Sequence, residues 1–75
     1  MEIKIIAFGQ IAEIIGKEIM LEASDITSLK IILAEKFPVL SDREFAIAVN
    51  KKLVQGNLEL NQKDTVALMP PYSGG

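Results

Sequence analysis

One segment of the chain, Thr27 to Phe37, carries an extended helical stripe, and alternating segments flank it on both sides; no other feature constrains the fold as tightly. Leu29, Ile32, Leu33 and Phe37 recur at i, i+3, i+4 and i+8 and therefore share one face of a helix. Thr27 is the expected N-cap, although Lys30 occupies the place where a capping box would put an acid. Pro38 is the expected stop, because the residue before a proline is pushed out of the helical region. Upstream, Ile3, Ile5 and Ala7 alternate with Glu2, Lys4, Ile6 and Phe8, and Ile19 and Leu21 alternate with Glu18, Met20 and Glu22; period two is the mark of a strand. Between them Gln10 to Ile15 fits a short helical turn that Gly16 can end. Downstream, Phe45, Ile47 and Val49 alternate with Ala46 and Ala48, Asn50-Lys51-Lys52 reads as a turn, and Leu53-Val54 forms a brief strand. A polar loop is expected at Ser41 to Glu44, and Thr65 to Met69 is the last strand.

The order strand, strand, helix, strand, short strand, strand implies an α+β domain in which one helix lies across one mixed sheet of five strands. That is the β-grasp, ubiquitin-like arrangement, in which the first and last strands run side by side and parallel at the centre. The helix is then expected to cover Ile3, Ile5, Val66 and Leu68. The opposite face carries Ile6, Phe8, Ala46, Ala48, Ala67 and Met69, with no second helix left to cover it. An uncovered face of mixed small and large apolar residues is a candidate protein interface. A chain of 75 residues is one such unit. We read residues 1–69 as the domain and 70–75 as an extended C-terminal tail.

Composition removes several kinds of function. There is no cysteine, hence no disulfide and no thiolate, and no histidine, so the chain lacks its commonest general base and metal ligand. Glu2, Glu13, Glu18 and Glu22 have no calcium-loop spacing and read as solvated surface, so no metal site is expected. Any catalysis must come from a partner. A formal charge of −2 argues against nucleic acid, whose backbone rewards clustered cations. No apolar run is long enough to span a bilayer and no leader is evident, so a cytoplasmic protein is expected. Lys51 and Lys52, like Lys4 and Lys63, read as solvated charges without a role.

The ending Met69-Pro70-Pro71-Tyr72-Ser73-Gly74-Gly75 is the most specific motif. Pro70 and Pro71 offer no N–H to a ladder and favour an extended conformation, so the strand must stop and the tail must leave the sheet. Gly74 and Gly75 carry no side chain and can pass through a channel as wide as a backbone. A carboxylate at Gly75 is a poor electrophile. If a partner activates it as an acyl-adenylate, a sulfur nucleophile can displace AMP and leave a thiocarboxylate.

Over nearly its full length the sequence resembles the MoaD family, the small subunits of molybdopterin synthase. The similarity lies in Ile3 to Gln10 with Glu13-Ile14-Ile15-Gly16, in Thr27 with Leu29, in Ala48-Val49-Asn50 through Leu53-Val54, and above all in Asp64-Thr65-Val66-Ala67-Leu68 leading to Pro-Pro-Tyr-Ser-Gly-Gly. A bare Gly-Gly end is common to ubiquitin-like proteins, whereas the two prolines before it are more specific. The resemblance implies that Gly75 is adenylated by a MoeB-like enzyme that uses ATP, the chain binding no cofactor itself, and is converted to a thiocarboxylate. It implies a MoaE-like large subunit, joined in a heterotetramer, that admits the tail from Pro70 through Tyr72 and Ser73 to Gly74. There sulfur passes to cyclic pyranopterin monophosphate, two carriers supplying the two dithiolene sulfurs. The family's apolar contact with its partners falls on Phe8, Leu53 and Met69; Met69 departs from the phenylalanine often found there.

Two further readings share the fold. A ThiS-like carrier for thiazole synthesis has the same Gly-Gly end and activation chemistry but lacks the Pro-Pro spacer. A ubiquitin-like protein modifier would end with Gly75 in an isopeptide bond to lysine. An RNA-associated module ranks last, given the acidic charge.

Overall fold

The computed structural model of the protein describes residues 2–71. Its elements are β1 (Glu2–Ala7), α1 (Gly9–Ile15), β2 (Glu18–Glu22), α2 (Ile26–Lys36), a 3-10 helix (Pro38–Asp42), β3 (Ala46–Val49), β4 (Lys52–Leu53) and β5 (Thr65–Met69). The strands form one five-stranded sheet in the order β2-β1-β5-β3-β4. β1 and β5 are parallel neighbours at its centre, and the other pairings are antiparallel.

Register explains why the core closes on one side. Ile19, Ile5, Val66 and Val49 align across four strands, and Ala7, Leu68 and Ile47 align in the next row on the same face. Ile3, Ile5, Val66 and Leu68 are fully buried beneath Ile26, Leu29 and Leu33 of α2, as the alternation requires. Ile11 and Ile15 of α1 and Leu60 from the long connection before β5 complete the same cluster.

Helix α2 begins two residues earlier than its stripe suggests. Asp25, not Thr27, is the N-cap: it is extended, and its carboxylate accepts a hydrogen bond from the Ser28 backbone N–H at 2.7 Å. The Thr27 N–H is instead taken by the Asn57 side chain at 2.8 Å, so the cap is tied to a distant loop. Ile26 thereby joins the buried stripe, while Phe37 lies past the last turn as the C-cap. Pro38 stops α2 as expected but also opens the 3-10 helix, occupying its first turn where a missing N–H costs nothing; this turn replaces part of the expected loop at 41–44. Asn50 and Lys51 alone make the β3–β4 turn, both at positive φ (51° and 73°), and Lys52 is already in β4. Val54 still pairs, its N–H donating to Ile47 O at 2.9 Å.

Candidate functional site

The face of the sheet away from α2 carries the site. Its central row runs Ile6, Ala67, Ala48, Leu53 across β1, β5, β3 and β4. The next row contains Met69 opposite Ala46, with Phe8 held beside it by the Phe8 N–H bond to Leu68 O at 3.0 Å. Alanines at the two central positions make a low floor, and the larger side chains around them make walls. The result is a depression of about 570 Å³ lined by Ile6, Phe8, Ala48, Leu53, Ala67 and Met69, with Asn50, Lys51 and Thr65 at one end. Phe8 is 50% exposed and Leu53 71% exposed, so both leave much apolar surface in water.

The polar end of the depression is rigidly built. Asn50 donates its backbone N–H to Thr65 O at 2.9 Å, accepts from the Thr65 N–H at 3.1 Å, and donates its side-chain amide to Asp64 at 2.8 Å. Asp64 in turn accepts the Asn61 backbone N–H at 2.8 Å, and these bonds hold its carboxyl below the usual aspartate range, the Asn61 bond first. This network clamps the β3–β4 turn onto the start of β5 and fixes the backbone that presents Lys51. Asp25 is held low in the same way by the Ser28 N–H first, with Asn57 contributing. Neither aspartate lines the depression.

The structure thus brings together Phe8, Leu53 and Met69, the three domain residues expected to contact partners. Pro70 and Pro71 follow β5 directly, both exposed, and Pro71 borders a second groove of about 530 Å³ that contains Lys30, Leu33, Arg43 and Phe45. Tyr72, Ser73, Gly74 and Gly75 lie outside the described residues. The alternation had placed Ile6, Ala48 and Ala67 on this face without assigning them a contact. Asn50 and Lys51 gave no signal beyond a charged turn, and Thr65 none. Gly9 was missed as well: it stands at φ +56° directly below Pro70. A glycine at the junction of an alternating strand and a helical pattern was the available sign.

No side chain of the described residues that is polar or charged is buried, and no group of three or more histidine, cysteine, aspartate or glutamate residues among them is placed to hold a metal ion. No helix among them is long and apolar enough to cross a membrane. The exposed apolar surface of Phe8 and Leu53 thus lies beside the point where the chain leaves β5.

This strand order, with parallel first and last strands and one covering helix, defines a small β-grasp, ubiquitin-like protein. Comparison with known proteins narrows it. The sequence profile of the ThiS family matches residues 5–75. A molybdopterin synthase sulfur carrier subunit from Dictyostelium discoideum is 31% identical over 83 aligned positions, spanning 99% of this chain and 96% of that protein. Among solved structures, a chain from the complex of subunits 1 and 2 of molybdopterin-converting factor of Helicobacter pylori superposes with a TM-score of 0.76 at 31% identity, covering 100% of both chains. The small archaeal modifier protein 1 of Methanosarcina acetivorans superposes with a TM-score of 0.80 at 22% identity, over 99% of this chain and 96% of that one, a likeness of fold. The chain belongs to the ThiS family and is a homologue of molybdopterin synthase sulfur carrier subunits.

Proposed function

We propose that the chain is the sulfur carrier subunit of a molybdopterin synthase, docking through the open sheet face and delivering its C-terminal glycine to partner active sites. The observation that carries this reading is the apolar depression of Ile6, Phe8, Leu53 and Met69 at the end of β5, directly before the Pro70-Pro71 spacer, in a chain that aligns end to end with such a subunit. The solved relative from Helicobacter pylori is one part of a two-subunit complex, which supports a larger subunit as the partner of this face. The family shares its name with the thiazole carrier, whereas the two relatives at 31% identity are named for molybdopterin and favour the pterin.

The chemistry follows from the tail. An oxygen of the Gly75 carboxylate attacks the α-phosphorus of ATP held by a MoeB-like enzyme, and pyrophosphate leaves. Hydrosulfide then attacks the acyl carbon, AMP leaves, and a thiocarboxylate remains. In the large subunit that sulfur bonds to a carbon of cyclic pyranopterin monophosphate and displaces the oxygen which that carbon carried, the oxygen leaving as water or on the phosphate; water then cleaves the acyl–sulfur bond and restores the carboxylate. Two such deliveries supply the dithiolene. The carrier contributes no acid or base; it contributes position, which converts a bimolecular encounter into a step within a complex. The whole sequence takes place in the cytoplasm.

Supplying the loaded chain to a large subunit with the pterin precursor, and in parallel to thiazole synthase with its precursor, tests the assignment. Dithiolene formation is expected in the first reaction alone. Sulfur delivery only to the thiazole would overturn it.

A further inference from the structure

The turn between β3 and β4 is closed by the Val49–Lys52 pair, which leaves Asn50 and Lys51 as its two central residues, at φ 51° and 73°. A two-residue hairpin turn with both central residues in the left-handed region favours asparagine first and glycine second, because glycine has no Cβ to crowd the backbone there. Asn50 fits that preference and Lys51 departs from it. The chain thus carries a long side chain where having none would be locally more stable.

That side chain stands at the docking surface. Lys51 is the one charged residue lining the apolar depression among the described residues. The Asn50 bonds to Thr65 and Asp64 tie the turn to the start of β5, so the backbone beneath Lys51 is fixed to the sheet. Both carboxylate oxygens of Asp64 are already engaged within this clamp, one by the Asn50 amide and the other by the Asn61 N–H. The open face is also polarised across its strands: Lys51 stands at the β4 edge, while Glu18 pairs with Ile6 at the β2 edge. A partner that covers the depression reaches the Lys51 ammonium at its end, and covering that charge without a counter-charge carries a desolvation cost. An acidic side chain on the partner removes the cost and sets the register of docking.

Resting on the carrier reading above, we propose that Lys51 is a binding residue that pairs with an acidic side chain of the large subunit at the β4 edge of the depression. Its side chain is kept there against the preference of the turn for glycine.

The two halves of this proposal predict changes of opposite sign. Lys51→Gly removes both the charge and the left-handed strain, so its thermal midpoint should rise by about 2–5 °C, the relief being partly offset by the greater freedom of glycine in the unfolded chain. Its Kd for the large subunit of molybdopterin synthase should nevertheless rise by about 3- to 10-fold. Lys51→Gln keeps the strain and loses the charge; it should bind as weakly without gaining stability, and its deficit should narrow as salt is added. Lys52→Gln is the control: it makes the same change in net charge one residue away, at a position that does not line the depression, and should bind like wild type. Carbodiimide coupling of the wild-type complex should join Lys51 to an aspartate or glutamate of the large subunit. A wild-type Kd in Lys51→Gln, an equal loss in Lys52→Gln, or a midpoint in Lys51→Gly no higher than wild type would overturn the proposal while leaving the carrier reading in place. If the wild-type chain itself fails to bind a large subunit that binds a known carrier, the carrier reading falls and this proposal with it.

Discussion

Replacing Phe8 by alanine should weaken binding to the large subunit by about 10- to 50-fold. An aromatic side chain buries about 150–250 Å² when fully covered. Phe8 is 50% exposed, so roughly 100 Å² of it remains for a partner to cover. At about 25 cal/mol per Å² that surface contributes roughly 2.5 kcal/mol if fully covered, and somewhat less once the retained Cβ and imperfect coverage are discounted. With about 1.4 kcal/mol per tenfold change in Kd, the expected loss is one to nearly two decades. Val39 supplies the control: it is 52% exposed on the 3-10 helix and does not line the depression, so Val39→Ala removes exposed apolar surface, though less of it, elsewhere. Calorimetric titration of the large subunit with each folded variant measures the effect. An unchanged Kd for Phe8→Ala, or an equal loss for Val39→Ala, would refute the assignment of this face.

Leu29→Ala, at a fully buried position under the sheet, should destabilise the domain by about 2–5 kcal/mol, whereas Ile31→Ala, 56% exposed on the same helix, should change stability by no more than about 0.5 kcal/mol; urea unfolding checks both. The carboxyls of Asp25 and Asp64 are held below their unfolded values by hydrogen bonds to the Ser28 and Asn61 N–H groups, so each stabilises the fold at pH above the unfolded value and loses that contribution as pH falls through the aspartate range. Urea midpoints should therefore decline on acidification, and less so in Asp64→Asn; an equal decline in that variant would remove Asp64 from the explanation. Deleting Gly75 should abolish sulfur loading while the thermal midpoint holds, because the core is assembled from residues 3–68.

Much of this architecture was legible because strand period and helix period leave different marks. The alternation in Glu2–Ala7 and Thr65–Met69 identified which residues face α2, and the burial of Ile3, Ile5, Val66 and Leu68 follows it. The open face could be read by the same parity, which is why Phe8 and Met69 were placed correctly. Long-range polar bonds were not legible. Asp25 displaces Thr27 as the cap through its local bond from the Ser28 N–H, whereas the Asn57 bonds to the Thr27 N–H and to Asp25, 30 and 32 positions apart in the chain, are encoded in no local pattern. The clamp of Asn50 onto Asp64 and Thr65 was hidden for the same reason, and it turns a plain charged turn into one end of the depression. The Gly9–Pro70 contact joins the two ends of the sequence, so it exists only once β1 and β5 lie side by side.

The intact mass of the chain after incubation with ATP, a MoeB-like enzyme and a sulfide source tests the carrier function most directly. The expected product is heavier by the difference between one sulfur and one oxygen atom, and fragmentation should place the change at Gly75. An unaltered mass, in a mixture that loads a known carrier protein in the same tube, would contradict it.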